Sequence, residues 1–357
     1  MTSRRGFLAG LLAASALPSL SWADAGSPAF LAAAKQADGS FALHGLTASG
    51  ATVFSIPLPA RGHAATAHPT RPEAVAFARR PGTYAVILNC ANGVVVSRLT
   101  PPDGIQFNGH GAYSQDGSIL YTSEVVATTS EGRVGLWDAT NGYRRVTSWP
   151  SGGIGPHDLK RLPGSDVLVV ANGGIQTDPE DRSKLNIDTM RPNLAYINAA
   201  GGLVELVELA PEYRQNSIRH LAIAGDSTVA FALQWEGDTA EPVPLLGLHK
   251  LGQTPKLCEV PETEMFVMQG YAGSIAFDSL GEEVAITSSH GGAVQIYRRD
   301  GIFTAGILRA DASGIAAAAK GFLLTDGFGT ISSIMGHDVE QLTQGTALWD
   351  NHLIALV

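Results

Sequence analysis

Five histidines in this sequence share one local setting, in which the histidine opens a short apolar segment. The segments are GHAATA from Gly62, GHGAYS from Gly109, PHDL from Pro156, RHLA from Arg219 and NHLIAL from Asn351. The histidines they contain are His63, His110, His157, His220 and His352. Imidazole titrates near pH 6.5, so imidazoles held together repel one another when protonated and need partners when neutral. A transition-metal ion meets that need, and nitrogen ligands suit iron, copper or zinc rather than calcium or magnesium.

Whether these histidines meet depends on the elements that carry them, which the sequence predicts to be β-strands. Short apolar runs bounded by Gly, Asp or Asn recur along the chain and group in fours, as in GHGAYSQDGSILYTSE, GRVGLWDATNG and YRRVTSWP. Four short strands in a unit of roughly 40–50 residues, repeated, are typical of a β-propeller blade. The sequence therefore predicts an all-β fold, a seven-bladed β-propeller with four antiparallel strands per blade.

The two ends of the chain are expected to share the last blade. A seventh histidine-bearing strand begins at Asn351, and the chain stops at Val357, while residues 30–58 supply three further strand-like runs. Pairing strands from both ends closes the ring and removes exposed sheet edges. We therefore expect residues 26–357 to form a single seven-bladed propeller domain.

Aligning the first strand of every blade places the histidines in one column. The column holds His63, His110, His157, His220, Ser274, Gly314 and His352. The first strand of a propeller blade is innermost, so the column is expected to form a ring at one mouth of the central channel. The alternative is that these histidines have a structural role, in which they cap turns or form hydrogen bonds with neighbouring blades, and bind no metal.

The second strands end in polar residues about 14 positions after the column. These residues are Glu124, Asn172, Gln234 and Asp326. Because an antiparallel hairpin returns to its starting level, we expect them beside the same mouth, where they would orient the imidazoles as supporting groups around a metal. Ordinary strand-end residues that bond loop backbone are the alternative. Two long loops, residues 173–192 and 235–245, are expected to overhang the ring as a lid or partner surface.

The N-terminus predicts export. Arg4 and Arg5 precede a short apolar stretch that ends in small residues, which is typical of a Tat signal peptide over residues 1–25, cleaved near Ala25. We therefore expect a periplasmic protein whose mature chain has no membrane span. The net charge of −9 argues against nucleic acid as a partner. Cys90 and Cys258 are the two cysteines, and the blade assignment separates them, so both are expected to be free and buried.

Several motifs resemble a family of exported propeller proteins of unknown function, encoded beside imelysin-type proteins in bacterial iron-uptake clusters. The motifs are ARRPG, GHGAYS, GPHDL, VANGGIQTDPEDRSKLN, SIRHLA and DNHL, and they extend over the whole predicted propeller. The resemblance implies a periplasmic role linked to iron, with imelysin-type or other iron-uptake proteins as partners. It favours iron as the metal and assigns no reaction. Copper is equally good on ligand chemistry, and zinc is the less expected ion.

Three hypotheses about function follow from the sequence. In the first, the five histidines hold iron or copper at the channel mouth, for uptake or delivery of the ion. In the second, the same centre serves a metal-dependent redox enzyme. In the third, the protein is a metal-free scaffold that docks partners through the 173–192 loop.

Overall fold

The computed structural model of the protein describes residues 20–79, 82–181 and 183–356. Most of the predicted signal peptide, residues 1–19, lies outside them. In the described part, strands are joined by turns and by three short 3-10 helices at Ile187–Thr189, Pro211–Tyr213 and Glu262–Glu264. No helix of the described residues is both long and apolar enough to cross a membrane.

The described strands form seven four-stranded antiparallel sheets. In chain order the strands are β1 (Phe30–Lys35), β2 (Phe41–Leu46), β3 (Thr52–Leu58), β4 (Gly62–Ala67), β5 (Glu73–Ala78), β6 (Ala85–Asn89), β7 (Val95–Leu99), β8 (Ile105–Tyr113), β9 (Ile119–Val126), β10 (Glu131–Asp138), β11 (Arg144–Ile154), β12 (Pro156–Arg161), β13 (Leu168–Asn172), β14 (Asn193–Ile197), β15 (Leu203–Glu208), β16 (Asn216–Ile223), β17 (Val229–Trp235), β18 (Leu246–His249), β19 (Lys256–Leu257), β20 (Ser274–Phe277), β21 (Glu283–Ser288), β22 (Ala293–Arg298), β23 (Phe303–Leu308), β24 (Ala312–Ala317), β25 (Phe322–Asp326), β26 (Thr330–Met335), β27 (Asp338–Gln344) and β28 (Leu348–Ala355).

The sheets are the blades of a closed ring, as the sequence predicts. Six blades each use four consecutive strands, from β4–β7 to β24–β27, and the seventh has the order β28-β1-β2-β3. In that blade the C-terminal strand pairs with the N-terminal one, Phe30 opposite Ala355 and Ala32 opposite Leu353. The innermost strands β4, β8, β12, β16, β20, β24 and β28 contact one another in cyclic order. The all-β seven-bladed fold with terminal closure is therefore confirmed.

The hydrophobic core lies between blades, where the middle strands pack on both faces. In β13 all five residues, LVVAN, are buried, and β21 is buried from Val284 to Ser288. Burial on both faces requires near-continuous apolar runs, which is why these strands do not alternate. The outermost strands are half-solvated; Leu203, Val204 and Leu206 of β15 are exposed. Cys90 and Cys258 are both free and buried, as expected.

The innermost strands are irregular at the histidine column. The pairing of β4 with β5 shifts register between Gly62 and Ala65, around His63. That of β8 with β9 shifts between Phe107 and Gly111, around His110. Similar shifts occur beside His157, His220, Gly314 and His352. A β-bulge re-aims the side chains it carries, so these shifts turn the column residues away from the regular pleat.

The residues just before β1 pack on the propeller. Trp22 donates its indole N–H to the carbonyl of His68 at 3.0 Å, and Ala25 is buried beside Leu31 and Leu43. Cleavage near Ala25, which the sequence predicts, would separate Trp22 from this contact.

Candidate metal centre

The five column histidines meet on the channel axis and form what we call the histidine cluster: His63, His110, His157, His220 and His352. His110 contacts the other four rings, with centroid distances of 5.0 Å to His63, 5.0 Å to His157, 5.5 Å to His220 and 4.8 Å to His352. The other four form a cycle around it, with successive separations of 5.4 Å, 4.6 Å, 4.8 Å and 4.7 Å in the order His63, His157, His220, His352. The arrangement is thus four rings in a cycle with a fifth ring against all of them.

Ring nitrogens of the cluster approach closely enough for shared ligation. Ligand atoms of His63, His110 and His352 lie within 4.8 Å of one another, and so do those of His110, His157 and His220. His110 belongs to both groups. The two sets therefore describe one cluster with His110 in common.

Four of the rings bury a nitrogen that no described residue satisfies. These atoms are His110 Nε2, His157 Nδ1, His220 Nδ1 and His352 Nε2. The four side chains are 4–7% exposed. A buried polar atom without a hydrogen bond carries a desolvation penalty of about 1–3 kcal/mol, so four such atoms in one place are unusual.

Asp158 supports the cluster from the strand that carries His157. Its carboxylate lies 3.2 Å from His110 Nδ1, and it accepts the backbone N–H of Leu221 at 3.0 Å. Lys160 Nζ is 3.9 Å from the same carboxylate. A carboxylate on one ring nitrogen fixes the tautomer, so that His110 Nε2 is the nitrogen free to ligate.

Three of the five imidazoles are held in the neutral form. Burial lowers the pKa of His220 to about 3, and it lowers the pKa of His157 and His352 well below the ordinary value. The neighbouring imidazoles add to these shifts, because a second positive charge beside the first is unfavourable. Burial alone would raise the pKa of Asp158, but Lys160 and His110 keep it below its ordinary value. Neutral imidazoles at pH 7 are competent ligands.

Polar residues line the channel mouth beside the cluster. Arg219, 8% exposed, lies 3.6 Å from Glu236, which also pairs with Lys184 of the 173–192 loop. Asn351 donates to the hydroxyl of Tyr271 at 3.1 Å. The ion pairs connect the two long loops to the strand that carries His220.

The four polar residues predicted from the second strands make their hydrogen bonds elsewhere. Glu124 forms two 2.7 Å bonds with Arg145 of its own blade, and Asp326 accepts from Arg309, in the link between β23 and β24, at 2.8 and 2.6 Å. Asn172 bonds Ser151 and Asn193, and Gln234 donates to the carbonyl of Ala272.

Strand register explains this placement. Glu124 lies opposite Phe107, three positions before His110, and Gln234 lies opposite Ser217, three positions before His220. Because the innermost strands are bulged here, Glu124 directly follows Ser123, the residue beside His110, and Gln234 is two residues from Ala232, which pairs with His220. Neighbouring residues of a strand point to opposite faces, so Glu124 is directed away from the side that Ser123 occupies. The residue beside His110 is Ser123, whose hydroxyl bonds both its N–H and its carbonyl, each at 3.2 Å.

Asp158 was not singled out from the sequence, although it follows His157 directly in GPHDL. Alternation predicts that neighbours on a strand point to opposite sides, so a residue adjacent to a column histidine would be directed away from the channel. The bulge between Pro156 and Asp158 removes that alternation. The feature of the sequence that could have identified Asp158 is its position directly after His157, one of the column histidines.

A cavity of about 230 Å³ reaches the cluster through the channel. Its polar lining comes from His110, His220, His352, Asp158 and Lys160, and the remainder is supplied mainly by small or aliphatic residues of β20, β24 and β28. Small molecules therefore have a volume to occupy beside three of the five rings.

Comparisons with known proteins agree with this architecture. No curated protein matches the sequence significantly. Among solved structures, a chain of hydrazine synthase from Kuenenia stuttgartiensis has a TM-score of 0.60 at 13% identity, covering 87% of this chain and 91% of that one. A chain of a mitotic checkpoint complex has a TM-score of 0.54 at 12% identity, covering 77% and 74%. These identities show similarity of fold alone.

A family match covers most of the propeller. Residues 56–356, which include all five members of the histidine cluster, match a family described as a protein of unknown function, DUF1513. The chain belongs to the DUF1513 family.

Proposed function

We propose that the protein binds a transition-metal ion through the histidine cluster. The observation that carries the proposal is the set of four buried, unsatisfied imidazole nitrogens gathered around one point. These nitrogens make no hydrogen bond to one another or to any other described residue, and a metal ion bound by the cluster would take up the lone pairs of the unprotonated ring nitrogens.

The spacing of the rings supports a single centre. Imidazoles bound to one ion through bonds of about 2.0–2.1 Å place neighbouring ring centroids roughly 4.5 Å apart. The centroid separations in the cluster, from 4.6 to 5.5 Å, are slightly larger. Small movements of the side chains would bring the nitrogens into bonding range. The cluster thus has the size of a site for one ion without rearrangement of the blades.

The donor set favours iron or copper. Imidazole nitrogen suits iron, copper and zinc, whereas calcium and magnesium require oxygen ligands. The similarity of motifs to exported proteins from iron-uptake clusters favours iron, and copper is equally compatible with an all-imidazole set. Zinc is the less favoured ion. Asp158 would act through His110 and raise its basicity as a ligand.

The proposed role is capture or delivery of the ion in the periplasm, after Tat export. The twin-arginine N-terminus and the motif resemblance support this location, and imelysin-type proteins are the proposed partners. A redox enzyme that uses the same centre is the second candidate. The cavity that reaches His110, His220 and His352 favours it, because a purely structural ion needs no open approach.

Metal content tests the proposal. Mature protein without a histidine tag, purified from periplasm, would be measured by elemental analysis beside His110→Ala and His157→Ala. His337→Ala, which changes an exposed histidine outside the cluster, is the matched control. We expect about one equivalent of iron or copper in wild type and control, and loss of the metal in both cluster variants.

Two outcomes would overturn the proposal. One is wild-type protein that contains no metal and takes up neither ion when offered it, which would leave the scaffold hypothesis. The other is metal retained in full by both cluster variants, which would place it elsewhere. If the metal is present, a change of its oxidation state during turnover of a small substrate would favour the enzyme over the carrier.

A further inference from the structure

The cavity beside the histidine cluster lies in the part of the channel where the column lacks histidine. Ser274 of β20 and Gly314 of β24 occupy the two column positions without an imidazole. In the cyclic order of inner strands, β20 and β24 are opposite β8, which carries His110. Small residues of the same strands, including Ala276 and Ala316, line the cavity. Ser274 lines the cavity, whereas a Cβ at Gly314 would lie 2.8 Å from the backbone nitrogen of Leu353, so the cavity lies on the Ser274 side of the gap in the histidine column.

The charges around the cluster do not balance a bound cation. Asp158 lies 3.2 Å from His110 Nδ1, and the ammonium of Lys160, 3.9 Å from the same carboxylate, offsets its charge. The positive charge of a divalent ion would thus remain uncompensated in a buried site, which is strongly unfavourable.

We propose that a small monoanion with an oxygen or nitrogen donor atom enters this cavity and binds the metal at the histidine cluster, with Lys160 as its counter-charge. The inference rests on the metal site proposed above. The anion compensates part of the buried charge and occupies the side of the cluster that carries no histidine. Lys160 lines the cavity, and about one third of its side chain is exposed, so its ammonium is available to an incoming anion.

Size restricts the class of anion. The cavity volume of about 230 Å³ corresponds to roughly seven water molecules at about 30 Å³ each. Azide, nitrite, formate and bicarbonate are within that limit.

Azide is a suitable probe because it binds metal ions and gives a charge-transfer band. Metal-free protein would be loaded with one equivalent of Cu²⁺, and azide would be titrated while electron paramagnetic resonance and visible absorption are recorded. The variants are Lys160→Gln, Lys160→Arg and Lys320→Gln. Lys320 is exposed in the turn between β24 and β25 and does not line the cavity, so it controls for the loss of one lysine charge.

We expect saturable binding of one azide per copper in wild type. Lys160→Gln should weaken azide binding roughly tenfold, because a unit charge several ångströms from the anion is lost in a partly screened site. Lys160→Arg and Lys320→Gln should bind azide within about twofold of wild type. Copper content after gel filtration confirms that each variant keeps the metal.

Three results would contradict the proposal in distinguishable ways. Copper bound in one equivalent with spectra that azide does not change would overturn the anion site and leave the metal site intact. Equal azide affinity in wild type and Lys160→Gln would overturn the role of Lys160. Wild-type protein that binds no copper and no iron would overturn the metal site and the anion site together.

Discussion

Asp158 occupies a different position from the other buried carboxylates of the chain. Glu124 pairs with Arg145 of its own blade, whereas Asp326 and Asp350 pair with Arg309 and Arg61, which lie in the links between successive blades. Asp158 instead links His110 of one blade to the backbone of Leu221 two blades away. It therefore fixes an imidazole and the relative position of the inner strands at the same time.

Asp158→Asn should weaken metal binding more than it weakens the fold. An amide can still accept from Leu221, but the negative charge that raises the basicity of His110 is lost, so metal affinity should fall about 10–100-fold. Competition with a chelating indicator would measure the affinity.

Asp326→Asn is the matched control, because it neutralises a carboxylate that is equally buried but bonded to Arg309. It should lower the free energy of unfolding by about 1–3 kcal/mol and leave the affinity unchanged. If Asp326 supported a histidine, as its position in the sequence suggested, the affinity would fall in this variant too.

The inner strands bring the imidazoles together through their bulges. A regular pleat would alternate sides and leave the column residues at the radius of the strands, whereas the register shifts re-aim them. Side-chain hydroxyls satisfy the backbone at two of these points. Ser123 bonds both backbone groups of His110, and Thr325 does the same for Gly314.

A substitution at Gly109 tests whether the bulged backbone positions the imidazoles, because Gly109 precedes His110 and lies against His63. Its φ is +98°, and a Cβ at this position would lie 2.3 Å from His63 Cδ2. Gly109→Ala should therefore displace His63 and weaken metal binding about tenfold or more.

Gly39→Ala separates backbone strain from displacement of the ring. Gly39 also has a positive φ, +85°, but a Cβ there meets nothing within 4 Å. Both variants should lose about 1–2 kcal/mol of stability from the left-handed backbone. Calorimetry and metal titration of the pair would test this, and equal metal affinity in both variants would contradict a role for the glycine in positioning His63.

The sequence was sufficient for the blades and for the column of histidines, because both depend on repeat length and on the spacing of apolar runs. It predicted Glu124 and Gln234 as supporting groups, whereas they bond Arg145 and the carbonyl of Ala272, because counting residues along a bulged hairpin does not give the face to which a side chain points. It missed Asp158 for a related reason. Inside a bulge, the alternation that relates position to direction no longer applies.

Folding of the closed ring buries several imidazoles, and burial favours their uncharged form. In the unfolded chain a histidine titrates near pH 6.5, whereas burial lowers the pKa of His220 to about 3 and that of His44 to about 4 in the folded chain. Between the folded-state pKa and pH 6.5 the unfolded state binds more protons than the folded state does. The free energy of unfolding is therefore highest above pH 6.5, as far as these histidines are concerned, and decreases as the pH falls below it.

Metal-free protein should therefore lose stability on mild acidification. The expected decrease is up to about 1.4 kcal/mol per pH unit for each such histidine. Urea unfolding at pH 7, 6 and 5 would measure it. His157→Gln should give a shallower dependence, since the pKa of His157 is also well below its ordinary value. Equal slopes in wild type and variant would contradict the assignment of His157 as a neutral buried ring.

The strand that closes the ring also carries His352. Because β28 pairs with β1, the fifth imidazole reaches the cluster when the last residues of the chain join the first strand. On the ribosome these residues emerge after every other blade has been made. A chain without β28 would offer four of the five imidazoles, so full occupancy of the centre by a metal would report that β28 had joined β1.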